Sequence, residues 1–238
     1  RRVTMPGAVI FRGPSRIDGQ PIVVVAVWES TNDKTGNMLQ TYIMRSDIDP
    51  LTANKLGEDY SICGNCNLRG TPTLDPDKKQ AEDRACYVVL YQGPLAVWKG
   101  LLRGIYPDAT TPEKRKAISR GREVRIGTYG DGAAAPDFVW DDVLEEAEGH
   151  TAYSHNGGDP ERYMMSADSL EDAEKYWAKG YRTYRIVRDE SEMVKAHEAP
   201  CPAPIKGVKC TDCLLCGGTS IPAKSIAIVV HGPGAKHF

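Results

Sequence analysis

From Glu123 to His231, strand-length apolar runs alternate with helix-length amphipathic ones across short loops, a rhythm that few folds accommodate. Glu123–Tyr129 (EVRIGTY), Thr151–Ser154, Tyr163–Ala167 (YMMSA), Arg182–Val187 (RTYRIV) and Ser225–His231 (SIAIVVH) read as strands. Pro136–Glu148 (PDFVWDDVLEEAE) reads as an amphipathic helix. Ser169–Gly180 carries a Ser cap, an acidic first turn and a terminal Gly, and Ser191–His197 reads as a further helix. Upstream, Cys86–Tyr91 (CYVVLY) reads as a strand and Pro94–Gly104 as a helix opened by Pro. The alternation predicts parallel βα units and the α/β class. Five or six strands, each ending in a polar cluster, predict an incomplete or distorted parallel βα barrel-like domain rather than a doubly wound sheet.

Before this region the pattern differs. Residues 1–20, rich in Gly, Pro and Arg, read as an irregular arm. Gln20–Glu29 (QPIVVVAVWE) reads as a buried strand, Ser30–Asn37 as a turn and Met38–Arg45 as its partner, giving an N-terminal β-hairpin. A short helix is expected within Asp47–Glu58, then a long polar loop over Asp59–Asp83. The expected division is 1–58 as arm and hairpin, and 59–238 as the βα domain. With 41% hydrophobic residues, the chain can build a core without covalent staples. A net charge of −2 gives no strong nucleic-acid signal, and the basic segment from Lys114 to Arg122 reads as a solvated helix face. No apolar run reaches membrane-spanning length.

Seven cysteines fall into two tight groups. Cys63-Gly-Asn-Cys66 is followed by Cys86, and Cys201-Pro202 precedes Cys210-Thr-Asp-Cys213-Leu-Leu-Cys216. A C-x2-C pair places two thiolates on one turn, and C-x2-C-x2-C aims three at one centre. Iron–sulfur clusters use such runs, whereas zinc more often takes two ligands from each of two knuckles. All seven are therefore expected to be ligands. The four thiolates of the second group would complete one [4Fe–4S] cluster. The three of the first would leave one iron of another open to substrate or a non-cysteine ligand. One cluster drawing on both groups, or a Zn site, is the alternative. Cys86 can also be read as a nucleophile with a histidine partner. The odd count, the ligand spacing and the lack of an export signal after Arg1-Arg2 favour a reducing cytoplasm over disulfides.

Parallel sheets carry their chemistry at the strand C-termini. Asp131, His155, Asp168, Arg188 and His231 stand just past successive strands and are expected to converge as catalytic residues. A carboxylate and a histidine would form an acid/base pair, and a guanidinium would suit an anionic substrate. Plainer readings exist: Asp131 as a turn residue, Asp168 as part of a helix cap, His155 and His231 as surface histidines. His150 and His197, flanking helix ends, read as structural. The second cysteine group, between the last two strands, is expected to enter from the same end as the pocket. Cys86, opening its strand, falls at the opposite end.

The succession EVRIGTYGDGAAAP, TAYSHN, MMSADSLEDAEKYWAKGYRTYRIV, CP…CTDCLLCGG and IAIVVHGPGAK resembles a group of bacteriophage-encoded cysteine-rich proteins. Cys86-Tyr87 matches the Cys-Tyr that ends the earlier cysteine cluster in that group. The resemblance implies a viral protein with a metal cofactor, working in the host bacterial cytoplasm or carried as a virion component. The C-x3-C-x2-C loop of radical S-adenosylmethionine enzymes is absent, since Cys63, Cys66 and Cys86 are spaced differently. The expected function is that of an iron–sulfur-cluster-binding phage protein. It would be a redox protein or enzyme, acting on an unidentified substrate or with an electron partner. The alternative is a zinc-stabilised binding module acting on a host or phage macromolecule.

Overall fold

A computed structural model of the chain describes residues 6–28 and 35–238. In chain order its elements begin with β1 (Gly7–Pro14), β2 (Pro21–Val27) and β3 (Leu39–Arg45). Four helices follow: α1 (Pro50–Leu56), α2 (Tyr60–Cys63), α3 (Gly93–Leu102) and α4 (Pro112–Ile118). Next come β4 (Glu123–Tyr129), α5 (Asp137–Glu145), β5 (Gly149–Ser154), β6 (Met164–Ala167), α6 (Leu170–Ala178) and β7 (Thr183–Val187). The last elements are β8 (Glu198–Pro200), α7 (Pro202–Lys206), α8 (Cys210–Cys213) and β9 (Ser225–Val229). No helix among the described residues is long and apolar enough to cross a membrane.

The nine strands form one mixed sheet in the order β1-β2-β3-β4-β5-β6-β7-β9-β8. The pairs β1–β2 and β2–β3 are antiparallel, and all later neighbours are parallel. The hairpin therefore belongs to the same sheet as the βα units, with β3 against β4. The fold is α/β, as expected, but the sheet is open and no barrel closes among the described residues. One edge is occupied from outside: Val9 N donates to Pro107 O, and Ala109 N donates to Val9 O. At the other edge β9 inserts between β7 and β8, reversing the strand order, so the progression that would close a barrel stops there.

That reversal decides what covers each face. From β4 to β7 the strands advance in one direction. Right-handed crossovers then place α5 and α6 on one face. Val124, Ile126 and Ala152 accordingly share a core with Val139, Trp140 and Val143 of α5. The step from β8 back to β9 runs the other way, so the same handedness sends residues 201–224 across the opposite face. There Met164, Cys216 and Ile226 pack with Tyr153, Tyr184 and Cys201. The register confirms that this is one face, pairing Tyr153 with Met164, Ser166 with Tyr184, and Tyr184 with Ile226. The second cysteine group thus lies over the sheet face, not at the strand C-termini.

Three segments differ from the sequence expectation. Residues 7–14 are a strand rather than part of an irregular arm, because Ala8–Phe11 is an apolar run buried against β2. Cys86–Tyr91 is not a strand, since Arg84 Nη1 donates to the carbonyls of both Cys86 and Val88 and bends the backbone round its side chain. Ser191–His197 is not an α-helix: a single 3₁₀ turn spans Glu190–Glu192, and the Glu198 carboxylate takes the Val194 N–H. Most of the expected turn over Ser30–Asn37, and the ends of the arm and first strand at residues 1–5 and 29, lie outside the described residues. The basic segment is paired with α5 through Arg115–Asp142, Lys116–Glu145 and Arg120–Glu146, which leaves no basic stripe there.

Candidate functional site

Polar braces shape the first cysteine loop. Asp59 accepts from Arg69 Nε at 3.0 Å and Nη2 at 2.5 Å, and from Asn54 Nδ2 at 2.7 Å. Arg69 also donates to the carbonyls of Gly57 and Gly64. Asn156, just past β5, grips the C-x2-C turn from the sheet. Its Nδ2 donates to Cys63 O at 2.9 Å, and its Oδ1 accepts from Asn65 N at 3.0 Å. Gly64 makes this approach possible: its φ is +54°, and a Cβ there would stand 1.9 Å from Asn156 Oδ1. Cys86 joins the pair because its segment is irregular and Cys86 N bonds to Leu68 O. Burial, then Asp59, Cys66 and Cys86, pushes the Cys63 thiol well up. Burial likewise raises Cys86, with Cys66 adding to it against the opposing Arg84. The three sulfurs lie within one another's fields.

They line a cavity of about 150 Å³ at the C-terminal ends of β4, β5 and β6. His155 and Asp168 line it too, with His155 Nε2 to Asp168 Oδ1 at 3.0 Å. Cys66 lies close enough to the His155 ring to act on its charge. Burial opposes its charge, but Asp168 and Cys66 outweigh that, and its pKa is pushed up to about 10. Asp131 serves differently. Its carboxylate accepts from Ala133 N, Ser154 Oγ, His155 N and Asn156 Nδ2, although burial raises its pKa. It is the hub that holds the His155-Asn156 turn beside the cysteines. Two buried atoms of pocket residues, Arg84 Nε and Tyr129 Oη, have no hydrogen-bond partner. Buried polar groups are nearly always paired, so each of these atoms is left with capacity for a further hydrogen bond, as are Thr151 Oγ1 and Tyr163 Oη elsewhere.

The second group sits beyond a wall of aromatic side chains. Tyr153 and Tyr184 pack with ring centroids 4.5 Å apart and form one side of the cavity. Cys216 packs against Tyr153 of the same wall. Burial, then Cys201 and Cys210, pushes the Cys216 thiol up to about 12, against the lowering pull of Tyr153 and Arg125. Cys216 O accepts from Ala152 N of β5, and Cys201 N donates to Ala227 O of β9. The sheet itself therefore positions both ends of the group. Cys213 shares the single turn of α8 with Cys210. No disulfide joins any of the seven cysteines. Among the described residues, no three His, Cys, Asp or Glu side chains are placed to hold one metal ion.

Of the five expected pocket residues, the structure brings Asp131, His155 and Asp168 together. Arg188 is not with them: it lies exposed in a neighbouring groove, over the Phe238 ring. His231 is exposed, with Nδ1 on Val229 O, because β9 ends at Val229 and the chain turns away. His150 and His197 are structural: His150 bonds Arg162 O, and His197 stacks on Trp177. Sequence reasoning missed Arg125 and Arg84, and it placed Tyr129 and Asn156 at the strand ends without singling them out as site residues. Arg125 is the most telling, since EVRIGTY sets a charge in the middle of a strand whose neighbours are apolar. No protein-family model, curated protein or solved structure matches this chain.

Proposed function

We propose that the chain is an iron–sulfur protein with two centres, one of which opens onto a substrate pocket. Cys63, Cys66 and Cys86 would hold a [4Fe–4S] cluster with one iron left for His155 or a substrate. Cys201, Cys210, Cys213 and Cys216 would hold a second. The observation that carries this reading is that two cysteine groups, remote in sequence, are gathered about one pair of tyrosines, Tyr153 and Tyr184, the first lining the cavity they wall and the second packed with them. The cysteines that shift Cys63 are Cys66 and Cys86, and those that shift Cys216 are Cys201 and Cys210, in keeping with two centres.

The donor set favours a cluster over zinc. A structural zinc ion draws four donors to a single point about 2.3 Å from each sulfur. A four-iron cluster gives each thiolate its own iron, so its ligands stand round a larger body. The C-x2-C-x2-C run, which aims three thiolates at one centre, suits the cluster. When bound, such a cluster supplies electron transfer or a Lewis-acidic iron. The chain's own part is to position His155 through Asp168, as a metal-binding or proton-carrying imidazole is commonly held by a carboxylate. Arg84, whose Nε is without a partner, lines the same cavity, and a donor to cluster sulfur would tune the cluster's potential. On the resemblance to phage proteins, the place of work is the host bacterial cytoplasm or the virion.

Anaerobic purification followed by iron and acid-labile sulfide analysis tests this. The reading expects brown protein with iron and sulfide in equal amounts, and Cys213→Ser losing the second centre. Colourless protein fully loaded with zinc would replace it with the zinc-stabilised binding module.

A further inference from the structure

Arg125 projects from the middle of β4 into the cavity and is only 7% exposed. Its guanidinium has one directional partner, the Tyr87 hydroxyl at 2.7 Å, and lies over the Tyr153 ring at 5.3 Å. Among the described residues it forms no ion pair with a carboxylate. The phenols and thiols around it are those of Tyr42, Tyr87, Tyr153, Tyr184, Cys210 and Cys216. Of the other buried arginines, Arg45 is answered by Asp47 and Glu58, Arg115 by Asp142, Arg162 by Asp137 and Asp141, and Arg185 by Glu198, while Arg84 and Arg182 have no carboxylate and are met by two and three backbone carbonyls. The pocket acids are already engaged, Asp59 by Arg69 and Asp168 by His155. A buried cation without a counter-ion is costly, and it persists where its charge is used.

We propose that the cavity binds a small organic anion whose carboxylate or phosphate is held by Arg125. The planar guanidinium fork matches either group bidentately. Tyr87 fixes the fork from behind, and Tyr153, Tyr184 and Ile186 offer an apolar wall for the body of the ligand. The ligand then lies between Arg125 and the His155–Cys66 side of the same cavity. Calling it a substrate rests on the function proposed above, whereas its binding does not.

Calorimetric titration of the full chain with benzoate, inorganic phosphate and neutral benzamide tests the site, with iron measured on every sample. Benzoate or phosphate should bind, and which of them binds more tightly identifies the head group; benzamide should not. Arg125→Gln should weaken binding by at least about tenfold, as loss of a charge-assisted pair does. Tyr87→Phe, at a side chain 45% exposed, keeps the fold and the charge and should weaken it several-fold. Arg188→Gln should leave it unchanged. Equal affinity in Arg125→Gln and wild type, or no binding of either anion by wild type, overturns the proposal. If wild type binds neither anion and Arg125→Gln also loses iron, Arg125 is a counter-ion to the cysteine-bound centre. That would end the anion site and leave the metal reading standing. Anion binding by iron-free protein would support the site even if the metal reading fails.

Discussion

The two cysteine groups set the same side chains in opposite surroundings. The first is held by polar braces, Asp59–Arg69 and Asn156, and opens onto a cavity with a histidine and three arginines. The second is held by the sheet, with Met164, Ile226 and two tyrosines against it, and its four cysteines are not among the residues that line that cavity. The difference teaches that loop order need not come from metal or apolar packing alone. The long polar loop over Asp59–Asp83 is fastened by charge-assisted hydrogen bonds. A centre in the first setting can meet a ligand. One in the second suits storing charge or stabilising the fold.

The largest effect should come where the second group is anchored. Arg185 and Glu198 form a buried bidentate pair at 2.8 and 2.7 Å, with the Glu198 side chain fully buried three residues before Cys201. Arg185→Met should cost about 3–5 kcal/mol, because it strands a buried carboxylate. Denaturant unfolding measures the cost, and iron retention should fall in the second centre before the first. Next in size, Gly64→Ala should cost about 1–3 kcal/mol, since it forces a Gly-only conformation and a collision with Asn156. Its metal loss should be confined to the first centre. If both centres empty together in either variant, the two groups are not independent.

A smaller effect separates positioning from ligation. Asp168→Asn keeps the hydrogen-bonding shape but removes the charge beside His155. The fold should change by less than about 1 kcal/mol, while the spectroscopic signature of the first centre shifts and that of the second does not. The smallest is a pH dependence. Burial holds His150 below its ordinary pKa of 6.5. The unfolded chain therefore takes up this proton first, so stability is full above about pH 6.5 and declines as pH falls through the folded pKa. His150→Gln should flatten that part of the curve, read by thermal unfolding at several pH values.

The sequence made β2 to β7 and β9 legible because their apolar periods are complete, and Ser169 caps α6 as its position implies. β8 was hidden: three residues ending in Pro carry no period. Its insertion outside β9 is what sends the second cysteine group over the sheet, so that group's place could not be read without strand order. Asp131, His155 and Asp168 were findable because strand C-termini share one end. Arg188 and His231 failed because their side chains leave the sheet after the strand stops. Arg125 lies inside a strand, where a charged residue reads as a solvent-facing one.

The central claim is that the two groups are separate cluster sites. Anaerobic iron and sulfide analysis with Mössbauer spectra, on wild type, Cys66→Ser and Cys216→Ser, tests it most directly. The account predicts about eight irons per chain in wild type, and about half lost in each variant with the other half's spectrum unchanged. A single four-iron signal lost in both variants, or zinc in place of iron, would contradict it.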